Sequence, residues 1–169
     1  MVSTIRSKAI VLFFKDILKI PPGKKNDTIQ VPQYIYPSKE FAYSFLKGLA
    51  DTDFTLRFKK NHHPKNCYPI IAGNFVSKRF VNQIGEIFNF LDFNYHFEYN
   101  KTKYNLRYNK TYVSHGIVLS GKKNLMKWMH LIGFNNKRQK YKYLIWERNG
   151  FYPPKLSYSE KLKMVRELF

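Results

Sequence analysis

Apolar and polar positions follow two rhythms along this chain, one of helices and one of strands, and the switches between them set the predicted elements. Over residues 5–20, Ile10, Phe13, Phe14 and Ile17 share one helical face, and Pro21-Pro22-Gly23 stops the run. A polar loop over 24–27 leads to a short extended or turn segment at 29–36, broken by Pro32. Ser38 then reads as the N-cap of a new helix, with Glu40 in the first turn near the positive end of the dipole. On that helix Phe41, Phe45 and Leu49 form the expected core stripe. Ser44, Gly48 and Thr52 form a second stripe of small residues, along which another helix can approach closely. Residues 54–59 alternate, with Phe54, Leu56 and Phe58 inward and Thr55, Arg57 and Lys59 outward. A turn over 60–67 precedes a second strand at 68–75.

Ser77 caps a strongly amphipathic helix that carries Phe80, Val81, Ile84, Ile87, Phe88 and Leu91 on one face. Tyr95, Phe97 and Tyr99 alternate with His96 and Glu98 in a third strand, and extended pieces follow at 104–108 and 112–119. Residues 121–133 are helical, with Leu125, Trp128, Met129 and Ile132 in register. Two more helices, about 137–148 and 159–168, flank Pro153-Pro154. The order predicts one α+β domain over residues 1–169, with helices on one face of an antiparallel sheet. Its core spans about 38–134, with a terminal helix at 5–20 and C-terminal helices within 137–169. The opposite face of the sheet carries cations and is left for a ligand.

Charge sharpens the picture. Thirty Lys and Arg stand against 11 Asp and Glu, a formal net charge of +19. Between Asp53 and Glu86 lie six cations and no acid; between Glu98 and Glu147 lie eleven and no acid. Such runs repel themselves until a polyanion neutralises them, and nucleic acid is the expected partner through counterion release. No stretch approaches the ~20 apolar residues of a membrane span, and no signal-peptide pattern opens the chain, so no membrane association and a cytoplasmic location are expected. With Cys67 the single cysteine, neither a disulfide framework nor a thiolate metal cage is available. His62-His63 and Cys67 do not complete a zinc set. The aromatic residues are expected mostly in the core.

Asp51 and Asp53 stand at the end of a predicted helix, where acids oppose the dipole. Residues that break a local rule are candidates for function. Their context, Leu46-Lys47-Gly48-Leu49-Ala50-Asp51-Thr52-Asp53, resembles the signature of the LAGLIDADG homing endonucleases. The runs at 20–25, 31–35 and 38–41, and Leu131-Ile-Gly-Phe-Asn-Asn-Lys137, resemble archaeal and intein-type members of that family. The resemblance covers roughly residues 7–150. It implies an αββαββα fold in which the motif helices of two units pack together. With one motif per chain, a homodimer on double-stranded DNA follows, its interface at Ser44, Gly48 and Thr52.

The resemblance also implies a metal site. Asp53 would bind Mg²⁺, or Mn²⁺ in its place, beside the scissile phosphate, with the backbone carbonyl of Thr52 as a further ligand and Asp51 as a secondary candidate. Family nucleases carry a lysine near the metal; Lys137 is the first choice, then Lys140 and Lys122. Arg57 and Lys59 follow the acid on the strand as base readers. Lys60, Lys65, Lys101, Lys103, Arg107, Lys110 and Arg138 are expected to hold phosphates, and Asn74, Asn105 and Asn109 are weaker candidates for base contacts. In one respect the chain departs from the family: Phe54 stands where the motif ends in glycine, a residue that permits close approach and unusual backbone angles. The expected activity is site-specific cleavage of both DNA strands. The alternative is a binding protein of the same fold, either a DNA-binding regulator or an RNA-binding splicing factor.

Overall fold

The computed structural model describes residues 7–17, 29–60 and 67–167, with the side chains of Lys60 and Cys67 outside that description. Lys65, His62 and His63 lie outside the described residues, as do both ends of the helix expected over 5–20. What is described of that helix is α1 (Lys8–Leu12), capped by Ser7 and continued by a widened turn through Phe13–Ile17. Its apolar side chains Ile10, Phe13, Phe14 and Ile17 are all exposed.

The remaining elements are α2 (Lys39–Thr52), β1 (Phe54–Lys60), β2 (Cys67–Phe75), α3 (Lys78–Phe90), β3 (Tyr95–Asn105), β4 (Lys110–Ser120), α4 (Lys122–Leu131), α5 (Lys137–Asn149) and α6 (Tyr158–Arg166). Residues 39–131 thus run helix, strand, strand, helix, strand, strand, helix. The four strands form one antiparallel sheet in the order β1-β2-β4-β3. Ser38 and Ser77 cap α2 and α3 as expected, each hydroxyl accepting from the amide three residues on.

Register assigns the faces. Leu56 pairs with Ile71 and Ile71 with Leu119, all buried beneath the helices. One residue along, Arg57 pairs with Ile70 and Ile70 with Ser120, on the face no helix covers. The core joins the covered face to the stripe of α3, where all six expected residues are buried, and to Leu125, Trp128 and Ile132 of α4.

Two expectations are corrected. In α2 the buried line is Ala42, Leu46 and Ala50, each 0% exposed, whereas Phe41 is 54% exposed and Phe45 and Leu49 are half-buried. Two stripes compete on this helix. The one with alanines lets the backbone lie close while Leu46 fills the gap, leaving Phe45 to meet the edge of Phe80. The extended piece at 104–108 is no separate strand. Strand β3 runs unbroken to Asn105 through a bulge between Glu98 and Lys101, and the chain reverses over Leu106–Tyr108 with Asn109 left-handed at φ 45°. Most of the aromatic residues lie in the core or pack against it, as expected, while Tyr34, Tyr68, Tyr99, Tyr104, Tyr108, Tyr112 and Tyr158 are exposed.

Phe54 explains its own departure from the motif. It opens β1, is 2% exposed, and packs its ring against Phe75, Phe88 and Trp128. The space it needs comes from its cross-strand partner. A Cβ on Gly73 would lie 3.0 Å from the Phe54 ring and 2.8 Å from that of Phe75. The cross-strand position is glycine, Gly73, and Asp53 keeps an ordinary backbone at φ −117°, ψ −20°.

Candidate nucleic-acid interface and acidic site

Asp53 is the C-cap of α2. Its amide donates to the Leu49 carbonyl at 2.9 Å, and its carboxylate accepts from the hydroxyl of Thr52 at 2.6 Å, leaving the group exposed at the mouth of β1. The last four carbonyls of a helix, that of Thr52 included, have no intrahelical N–H to accept. The Asp53 carboxylate and the carbonyl of the preceding Thr52 are the hard oxygen donors at this helix end. Among the described residues no group of three or more His, Cys, Asp or Glu lies together. A cation here would draw its remaining ligands from water, phosphate and a second copy of the chain, the ligand habit of Mg²⁺.

Asp51 does something else. Its Oδ1 accepts from the amides of Asn135 and Asn136, both at 2.8 Å. Asn136 is the N-cap of α5, accepting from the Arg138 amide. Asp51 thus ties the start of α5 to the end of α2, bringing Lys137, the first residue of α5, to the Asp53 end of the sheet. Lys140 lies one turn further along the same helix and is exposed. Lys122 is at the other end: the amide of Gly121 donates to Pro69, which pairs with Phe58. Four strand residues, roughly 13 Å, separate that level from Phe54, so Lys122 does not join the acidic site.

The open face carries Arg57 and Lys59 on β1, Lys101 and Lys103 on β3, and Lys110 on β4. Arg107 sits in the hairpin turn beside the ring of Tyr108. Arg138 lies on α5, beyond the sheet. Asn74 is on the open face near Asp53, Asn105 shares that face at the far end of β3, and Asn109 accepts from the hydroxyl of Tyr104 within the turn. Between the outer strands runs a groove of about 760 Å³, floored by Val118 and walled by Arg57, Lys59, Tyr68, His96 and Glu98.

Three groups were missed in the sequence. Glu98 is the sole acid in any of the four strands; it accepts from the Lys101 ammonium, and that bond, with the nearby charge of Arg57, holds its carboxyl below the ordinary range. The alternation of 95–99 had already turned it toward the cations. Gln139 and Lys142 had no such signal. On α5 they cover the free edge of β1: Gln139 Oε1 accepts from the Leu56 amide at 3.1 Å, and Lys142 donates to the Leu56 carbonyl at 2.8 Å. Burial, then Lys161 and Arg138, push Lys142 down to about 8. Among the described residues no helix is long and apolar enough to cross a membrane. No protein-family model matches this chain, and no curated protein matches it.

Proposed function

We propose that this protein is a homodimeric, metal-dependent endonuclease of the LAGLIDADG type that cleaves both strands of duplex DNA. The observation that carries the reading is the position of Asp53: an exposed carboxylate, without a cationic partner among the described residues, at the point where α2 enters the cation-bearing face of the sheet. An acid kept free of the many surrounding cations is poorly explained by stability, since it also opposes the dipole of its own helix. The element order over residues 39–131 supports the family fold.

In this reading the carboxylate of Asp53 and the carbonyl of Thr52 hold Mg²⁺ or Mn²⁺, which when bound activates water and neutralises charge on the phosphate. Lys137 offers a charge beside the developing negative oxygens. Arg57 and Lys59 enter the major groove, while Lys103, Arg107 and Lys110 grip the backbone and set register. The α2 helices of two copies meet along Ser44, Gly48 and Thr52, all exposed in the single chain.

Cleaved sites selected from a random duplex library in Mg²⁺ test the reading. Wild-type protein is expected to enrich a nearly palindromic site, and Asp53→Asn to bind that site without cutting it. Equal enrichment by both proteins, or none by either, sinks the assignment. One observation favours a second reading: the β3–β4 hairpin presents exposed Tyr104, Tyr108 and Tyr112 among Lys103, Arg107 and Lys110, a pattern suited to stacking unpaired bases. Folded RNA outcompeting duplex DNA at physiological salt would mark an RNA-binding protein instead.

A further inference from the structure

Glu98 is out of place on a surface that binds phosphates, and its surroundings give it a role. It pairs with Gly116 across β3 and β4, on the open face. A Cβ on Gly116 would stand 3.3 Å from Glu98 Oε2 and 3.1 Å from Asn74 Oδ1. The bare glycine floor therefore lets the carboxylate and the amide converge above the sheet. The Lys101 ammonium binds the carboxylate from the side, and Arg57 faces it across the groove. Neutralised in this way, an ionised carboxylate can sit near a duplex. Ionised, it only accepts hydrogen bonds, and phosphate oxygens, guanine O6 and N7, and thymine O4 only repel it. The major groove offers it the amino groups of cytosine and adenine, and acceptance from cytosine N4 is the usual pairing.

We propose that Glu98 is a specificity-determining residue that reads cytosine N4 in the major groove, opposite Arg57. Donor and acceptor on two walls of one groove complement the edge of a G·C pair, O6 and N7 on one base and N4 on the other. The proposal rests on the duplex-DNA reading above and deepens it. The bland competitor is an ion pair that merely relieves crowding among Lys101, His96 and Arg57; it would change affinity without changing base choice.

The test is binding-site selection from a random duplex library, without divalent metal so that cleavage plays no part, using the full chain and the Glu98→Gln and Glu98→Ala variants. Circular dichroism melts first establish that all three are folded. Wild type should prefer cytosine at one position of each half-site. Both variants should lose that preference about tenfold, keep the remaining positions, and bind random duplex at least as tightly as wild type. Unchanged preferences at every position would overturn the proposal, as would a uniform loss of affinity with base choice intact. Should wild type bind no duplex at all, the duplex-DNA reading falls and takes this one with it. Binding and selection that ignore Glu98 sink this inference alone.

Discussion

Lys142 shows how a single side chain can tie the fold to pH. Its ammonium is half-buried, bonded to the Leu56 carbonyl, and crowded by Lys161 and Arg138, which leaves it at about 8 where a free lysine has 10.5. A lysine whose folded value is depressed weakens the fold wherever both states are protonated. Below pH 8 that cost is present in full. Between about 8 and 10.5 the unfolded chain still holds the proton while the folded chain does not, so stability rises with pH. Solvent on its exposed half screens the effect to the order of 1 kcal/mol. The wild-type-minus-variant difference in urea midpoint for Lys142→Met should therefore be more positive at pH 10 than at pH 7.5. Tyr36 and Tyr143, raised to about 12 by burial and then by Glu86 and Glu147, act in the opposite direction above pH 10 and cancel in that difference. A wild-type-minus-variant difference that stays constant or falls with pH contradicts the assignment.

Among the elements, α5 is the one whose placement rests on polar bonds more than on an apolar stripe. Asp51 holds its first turn by two amides, and Gln139 with Lys142 seals it to the edge of β1. Asp51→Ala removes the first of these anchors. A loss of about 1–2 kcal/mol is expected, since hydrogen bonds to a charged group are among the stronger ones but this group is partly solvated. Amide exchange at Asn135 and Asn136 should quicken, while the amides of α3 hold. Uniform acceleration through the core would mean that Asp51 supports the whole fold and not the α5 junction. None of this was legible in the sequence, because the partners lie more than eighty residues apart and a carboxylate accepting two distant amides leaves no periodic trace. The strongly periodic elements were legible: α3 declared its buried face through six apolar residues, and β1 its two faces through strict alternation. Helix α2 was read one residue off, because Phe41, Phe45 and Leu49 outrank Ala42 and Ala50 in hydrophobicity, yet close packing favours the smaller pair. Asp53 was visible as a misplaced acid; Asp51 looked the same and proved structural.

At the scale of the whole molecule, charge and symmetry make one joint prediction. Gly48 lies on the exposed side of α2, and a Cβ placed there meets nothing within 4 Å. Packing within the chain therefore does not require glycine, which costs a helix interior roughly 0.5–1 kcal/mol relative to alanine. A close helix neighbour from a second copy would require it. At concentrations low enough for wild type to be monomeric, Gly48→Gln should leave the melting temperature unchanged or raise it, while sedimentation at higher concentration shows wild-type dimers and variant monomers. DNA binding should report the same change through salt. With Lys101 engaged by Glu98, one copy offers Lys103, Arg107 and Lys110 to phosphates. If each contact releases about 0.9 counterion, log K against log salt falls with a slope of roughly −2.7 for one copy and about −5.4 for two. Wild type should follow the steeper line and Gly48→Gln the shallower one, because the variant loses the second face and not any contact of the first. A variant that stays dimeric with the steep slope would remove α2 from the interface. A wild-type slope of about −2.7 would mean that a single copy engages the duplex and that cleavage of both strands needs another arrangement.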